Sequence, residues 1–438
     1  MLDTNSNSQI VSPTILKLQE EIKTNKIEAI LKFWEKIENI GTPLFETIEE
    51  DSKYEIITFV FRKDEEVENV VCNSFFVKEN IKEGLLETIK DTNIYYKSYK
   101  ILKGIRDTYC LSKNNPLEPK DPSENTFKHV DLIFHDPLNS KKSFLKVDGI
   151  SIPINNFESP DAPPQPYYGE RVDIDHGEIQ EYISYSEILD IKRKILVYTP
   201  PNYLKTHSPY HFLLLFDGFL FEEDAKVSST LDNLIADEKI PPLVAIMVEN
   251  FIPTNTTIRS YELPPNPRFK DYIIKELLPW VLENFNITKN PSHSVIAGAS
   301  YGAIASTYIA FKHPDIFGNV LSMSGAYSWY PGDENWKKTV KNLEQFERWW
   351  TIEDEEDPRW LARQFNQNAK LPLKFYIDVG VLEVDDPTGL YQSNRHFYTI
   401  LQSKGYAVYY TEFLGGHDFV CWRSSIADGL IYLIGKGM

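Results

Sequence analysis

VIAGASYGAIAS, residues 295–306, joins an apolar run, a serine between two glycines and an Ala-rich run of helical composition. A strand turning sharply into a helix accommodates all three. The centre, Gly298-Ala299-Ser300-Tyr301-Gly302, fits the pattern GxSxG. There the serine sits on a strained turn, and side chains at the flanking positions would collide with neighbouring backbone. Short glycine patterns also occur in ordinary turns; the strand before and the helix after give this one chemical meaning. A serine hydroxyl is a weak nucleophile at neutral pH, so Ser300 needs a base to take its proton as it attacks a carbonyl.

Outward from this motif, Arg193 to Tyr198, Phe212 to Phe216, Leu243 to Val248, Ser294 to Ala297, Asn319 to Met323, Lys374 to Val379 and Ala407 to Phe413 read as strands. Helical segments such as Asp271 to Asn284 and Gly302 to Lys312 lie between them. This alternation predicts an α/β domain, a mostly parallel sheet covered on both faces, of the α/β-hydrolase type. Of nine histidines, His417 follows the last strand in the turn Leu414-Gly415-Gly416-His417-Asp418, where such a fold presents its base. His207, His293 and His313 lie in surroundings that suggest no such role. A carboxylate holding the imidazole tautomer belongs after the penultimate strand, and there KFYIDVG (374–380) runs into Val381-Leu382-Glu383-Val384-Asp385-Asp386. Glu383 is the first choice, Asp385 the next and Asp386 the last; the plain alternative is a solvated acidic loop. The developing oxyanion needs N–H donors, expected from the backbones of Tyr301 and of Gly218 and Phe219, which follow the strand FLLLF.

The segment SIPINNFESPDAPPQPYY (151–168) concentrates prolines with little periodicity and reads as a stiff connector. It divides residues 1–160 from the hydrolase domain, 161–438. Ile27, Ile30, Leu31, Phe33, Trp34 and Ile37 recur at helical spacing between Lys26 and Glu38, so one amphipathic helix opens the first part. After it, short runs such as Tyr54 to Arg62 and Asn93 to Leu102, rich in β-branched and aromatic residues, predict a small β-sandwich.

The chain of 438 residues, 42% hydrophobic and 25% charged, has the composition of a folded protein with sizeable cores. Its first residues carry neither a basic stretch nor an apolar one, and no run approaches the roughly 18–20 apolar residues that span a bilayer. Cys72, Cys110 and Cys421 are odd in number and widely spaced, as expected of free thiols in a reducing compartment. These features predict a cytoplasmic protein. A net charge of −18 argues against nucleic acid and anionic membrane as partners. An anionic small substrate would require local cations. No HExxH or clustered Cys/His spacing appears, so no metal cofactor is expected.

Longer runs carry a resemblance. LLLFDG (213–218), RSYELPPNPRF (259–269), KELLPWV (275–281), AGASYG (297–302), LSMSGAYSWY (321–330) and GGHDFVCWR (415–423), with GTPLFE (41–46), TFVFR (58–62) and FHDPLNS (134–140), resemble the enterochelin (enterobactin) esterases. These are cytoplasmic enzymes that hydrolyse the trilactone backbone of ferric catecholate siderophores. The resemblance implies an N-terminal sandwich-like domain that helps form the substrate site, and a hydrolase domain opening esters between 2,3-dihydroxybenzoyl-serine units. It also favours Glu383, because the family pattern places a Glu shortly after the glycine ending the preceding strand. Iron would enter only as part of the substrate. A ferric triscatecholate is anionic; the family motifs point to Arg259 and Arg423 for charge pairing, and to Trp422 and Tyr301 for stacking on catechol rings. For the arginines the plain alternative is a structural ion pair, for the aromatics ordinary packing. Two further readings stand beside this one: a general carboxylesterase acting on simple acyl esters or acylated sugars, and a siderophore-binding protein on an inactive hydrolase scaffold.

Overall fold

The computed structural model describes residues 11–63, 67–74, 77, 81–118, 129–147, 150–206, 208–250, 258–333, 336–337, 358–385 and 388–436. The chain divides into two compact units. One is Met1–Pro163 together with Leu414–Gly416, the other Pro164–Phe413 with His417–Met438.

The first unit opens on a helix, Pro13–Ile40, that starts well before the Lys26 expected from periodicity. Ser12 caps it, its side chain accepting from Ile15 N at 3.2 Å, and Pro13 follows in the first turn, where its missing N–H costs nothing. A non-helical Asn25 (φ −145°, ψ 88°) kinks the helix, yet Ile15, Leu18 and Ile22 before it and Ala29, Phe33 and Ile37 after it keep one helical spacing. Ile15, Leu18, Phe33, Trp34 and Ile37 are buried against strand residues Leu44, Val60, Ile94 and Tyr96. Two antiparallel sheets follow. The first runs β1 (Leu44–Thr47), β2 (Tyr54–Arg62), β5 (Ile94–Leu102), β4 (Glu87–Thr88). The second runs β3 (Val70–Ser74), β6 (Arg106–Lys113), β9 (Ile150–Glu158), β8 (Lys142–Val147), with β7 (Ile133–Phe134) also on β6. Rings on facing strands fill the space between them: Phe59 lies 4.6 Å from Tyr109, and Phe61 5.6 Å from Phe134. The start of the proline-rich segment is strand rather than connector. Pro153 is tolerated in β9 because β6 pairs with that strand only over Asn155–Glu158, so the absent donor is not missed there.

The second unit carries an eight-stranded sheet in the order β10-β11-β13-β12-β14-β15-β16-β17. Its strands are β10 (Glu178–Ser186), β11 (Ile191–Thr199), β12 (His211–Leu215), β13 (Leu243–Val248), β14 (Ser294–Ala299), β15 (Asn319–Met323), β16 (Lys374–Gly380) and β17 (Ala407–Phe413). From β13 to β17 every pairing is parallel, whereas β10 and β11 add an antiparallel edge. The central strands are buried on both faces, with apolar clusters on either side, as parallel pairing with helical crossovers requires. β12 lies between β13 and β14, so the chain leaves β12 toward one side of the sheet and returns on the other. In sheets of this kind ligands bind beyond the strands' carboxyl ends at such a reversal. Among the described residues no helix is long and apolar enough to cross a membrane.

Candidate active site

β14, which borders β12 at that reversal, delivers Ser300 at its carboxyl end. The residue has φ 58° and ψ −120°, a conformation costly for any side chain but glycine, and it immediately precedes the helix Tyr301–Lys312. Its backbone is held on both sides: N donates to Met323 O at 2.9 Å, and its O accepts from Ala326 N at 3.2 Å. The side chain makes no capping bond to its own helix, so the hydroxyl is not consumed there. Gly298 is obligatory, because a Cβ would sit 2.5 Å from the Gly302 carbonyl carbon. The expectation of a backbone collision does not extend to Gly302, whose Cβ would meet the Asp217 Oδ2 at 3.4 Å and the Phe216 Cβ at 3.5 Å, ordinary contacts.

Glu383 and His417 come from the loops after β16 and β17. Glu383 lies on a 3-10 turn, Val381–Asp385, directly after β16, and is wholly buried. Its Oε1 accepts from the Ser324 hydroxyl at 2.6 Å and from Gly380 N at 2.8 Å, while Oε2 lies 3.0 Å from His417 Nδ1. Against an ionised carboxylate Nδ1 carries the proton, which leaves the imidazole lone pair on Nε2. A continuous path therefore runs from the Ser300 backbone through Met323 and Ala326 to Ser324, Glu383 and His417. The side chain of Asp385 and the whole of Asp386 lie outside the described residues. The carboxylate of the buried Asp378 makes no hydrogen bond of standard geometry, although the Ser425 hydroxyl lies alongside. Burial, reinforced by the charges of Glu383 and Asp428, pushes its carboxyl up to about 8.

The loop after β12 faces Ser300 across the strand boundary, since Leu215 is in register with Ala297. Asp217, at φ 54°, turns the chain into the helix Gly218–Ala225. The first N–H groups of this helix and of the helix Tyr301–Lys312 have no acceptor within their own helices, and these belong to Gly218, Phe219 and Tyr301. Gly218 has a steric basis of its own: a Cβ would fall 2.3 Å from Met247 Cβ. The loop is anchored through Asp217, whose N donates to Asn250 Oδ1 at 3.1 Å. Asn250 Nδ2 reaches Glu262 at 3.4 Å, and Glu262 is paired bidentately with Arg193, both wholly buried.

The residues expected to meet substrate fall differently. Arg259 donates from Nε and Nη2 to the two Asp217 oxygens at 2.9 and 2.8 Å, and its guanidinium lies 5.9 Å from the Tyr301 ring centre. Burial pushes the Tyr301 hydroxyl up to about 12. Arg423 donates from Nε to Gln165 and lies 4.0 Å over the Tyr168 ring. The stacking role expected of Trp422 is corrected. Only 4% exposed, it sits in the core with Phe221, Phe419 and Ile426, so no face is open to a catechol ring. Its Nε1 donates to Ser324 Oγ at 3.0 Å, and its ring meets that of His417 edge-on, centres 4.8 Å apart. Ser324 and Asn250 went unnoticed in the sequence. The only signal was the place of Ser324 in LSMSGAYSWY, where nothing local distinguishes it from a turn serine.

Residues 186–433 match the Esterase family, described as "Putative esterase". An iron(III) enterobactin esterase of Escherichia coli O6:H1 is 25% identical over 81% of this chain and 83% of its own length. An iron(III) enterobactin esterase of Dickeya dadantii is 24% identical over 92% of each chain. The crystal structure of the enterobactin esterase from Shigella flexneri, determined in the presence of enterobactin, superposes with a TM-score of 0.73. It is 22% identical, covering 92% of this chain and 97% of that one, and supports the same fold.

Proposed function

The chain belongs to the Esterase family, and from that premise we propose that it hydrolyses the ester bonds of ferric catecholate siderophore trilactones of the enterobactin or bacillibactin kind, with Ser300 as nucleophile. His417 Nε2 takes the Ser300 proton as the hydroxyl attacks a lactone carbonyl. Glu383 holds the imidazole tautomer and stabilises the imidazolium. The N–H groups of Gly218, Phe219 and Tyr301 receive the oxyanion. Collapse expels the seryl alcohol, protonated by His417, and leaves an acyl-enzyme on Ser300. Water deprotonated by His417 attacks that ester, and collapse of the second intermediate frees the carboxylic acid and the serine. The observation that carries this reading is the 3.0 Å contact of a buried Glu383 with His417 Nδ1, taken together with the φ of 58° at the serine of GxSxG.

The iron(III) enterobactin esterases that match most of the chain support the choice of substrate. Arg259 and Arg423 are the proposed cations for the anionic ligand, iron enters within the substrate, and no resident metal takes part in the chemistry. Cys72, Cys110 and Cys421 form no disulfide, which supports a cytoplasmic site of action.

The test is product analysis with enterobactin and bacillibactin, each with and without iron, alongside a nitrophenyl ester. Linear and monomeric products from the trilactones, absent with Ser300→Ala, are expected. Turnover of the nitrophenyl ester alone would replace the substrate with a simple acyl ester. Ferric-ligand binding without product from any ester would mark an inactive binding scaffold.

A further inference from the structure

Resting on that reading of Ser300, Glu383 and His417, we infer that Ser324 and Trp422 are positioning residues for the acid–base pair. The indole N–H and the serine hydroxyl form a donor chain that fixes the Glu383 carboxylate with Oε2 toward His417.

The chain has a defined direction. An indole nitrogen is a donor only, so the 3.0 Å contact of Trp422 Nε1 with Ser324 Oγ occupies a lone pair of that oxygen. The single hydroxyl proton is then left for Glu383 Oε1, 2.6 Å away. A second donor to Oε1, Gly380 N at 2.8 Å, completes that oxygen. Rotating the carboxylate would break both bonds inside a site closed to water, where an unmade bond costs the most. The sense therefore runs Trp422 to Ser324 to Glu383, with Oε2 receiving His417.

Ser324 is itself immobilised. It takes φ 46° at the end of β15, its N donates to Asp378 O at 2.9 Å, and the Asn394 side chain clamps Gly325 next to it through both N (3.1 Å) and O (2.7 Å). Trp422 also touches the other end of the pair, its ring standing edge-on to the His417 imidazole at 4.8 Å and 84°. One buried side chain thus limits rotation of the base directly and of the acid through a hydroxyl. At 4% exposure it does so without reaching substrate.

The experiment measures kcat and KM on a nitrophenyl ester for Trp422→Phe and Ser324→Gly, alone and in a Glu383→Gln background. It is accompanied by the downfield proton resonance of the His417 Nδ1–H. Ser324→Gly suits the positive φ while deleting the hydroxyl, and thermal unfolding confirms that each variant folds; should Trp422→Phe not fold, Ser324→Gly carries the test. Each single variant is expected to lose roughly ten- to a hundredfold in kcat, with KM within about twofold and the resonance broadened or absent. In the Glu383→Gln background neither substitution should cost anything further: Ser324 acts through that carboxylate, and Trp422→Phe keeps a ring against His417 while losing only the indole N–H that reaches the carboxylate through Ser324. Unchanged kcat and resonance in the single variants, or the same fold-loss with Glu383→Gln already present, overturns the inference. A wild type that turns over no ester defeats the proposed function instead, and the resonance in Ser324→Gly then decides the positioning claim by itself.

Discussion

Glu383 joins burial to three hydrogen-bond partners, and its value to the site lies in charge and orientation together. Glu383→Gln keeps the shape but offers an amide where His417 needs an acceptor of fixed charge. We expect kcat to fall roughly 10²- to 10⁴-fold with KM little changed, checked by steady-state kinetics on a nitrophenyl ester; a drop in kcat/KM carried by KM alone would assign Glu383 to binding. Asp378 leads to a pH prediction. Its carboxyl, ordinarily near 3.8, stands at about 8 in the folded chain. Between those values the native state keeps a proton that the unfolded state has released, so its stabilising contribution is full below about pH 4 and is lost as pH rises through 8. Asp378→Asn cannot ionise, and its stability relative to wild type should therefore grow between pH 5 and 8 in urea unfolding. Parallel curves would show that the carboxyl ionises as freely in the fold as outside it. At this scale Ser300 and His417 stand out in the sequence because each sits in a local pattern with a chemical reason. Trp422 was misread although Ile426, Leu430 and Leu433 follow it at helical spacing and share its buried face, a packing signal that outweighed the family motif.

Among the elements, alternation of strands and helices was legible wherever both faces of a strand are buried, because such strands read as apolar runs. β10 was not, since an edge strand with most of its side chains half-buried or exposed carries a polar sequence, EIQEYISYS. The helical stretch expected over Asp271 to Asn284 is present but interrupted by a π-turn, Ile273–Leu277, just before Pro279. A proline there supplies no N–H and crowds the carbonyl four residues back, which the wider turn relieves. The loop after β12 depends on elements distant in sequence, from β11 through the helix Ile258–Glu262, and that dependence could not be read from motifs. Its foundation is the Arg193–Glu262 pair, with both side chains at 0% exposure. Glu262→Gln leaves a buried guanidinium without its counter-charge, so we expect destabilisation of about 3–5 kcal/mol in denaturant unfolding. A change below about 1 kcal/mol would mean that water or another carboxylate replaces the partner.

For the whole molecule the governing quantity is a net charge of −18, set against a proposed substrate that is itself anionic. Long-range repulsion then slows encounter, and only cations close to the site counter it. Raising ionic strength from about 10 to about 150 mM shortens the Debye length from about 30 to about 8 Å. Over that range kcat/KM for a ferric trilactone should rise, while that for a neutral nitrophenyl ester stays flat; equal salt responses would remove charge from the account of specificity. The central claim concerns Ser300 and His417 themselves, and reaction with a fluorophosphonate followed by peptide mass spectrometry tests it most directly. The account predicts a single phosphonyl adduct on Ser300, formed at least a thousandfold more slowly in His417→Ala. An adduct on another residue, or an undiminished labelling rate without the imidazole, would contradict it.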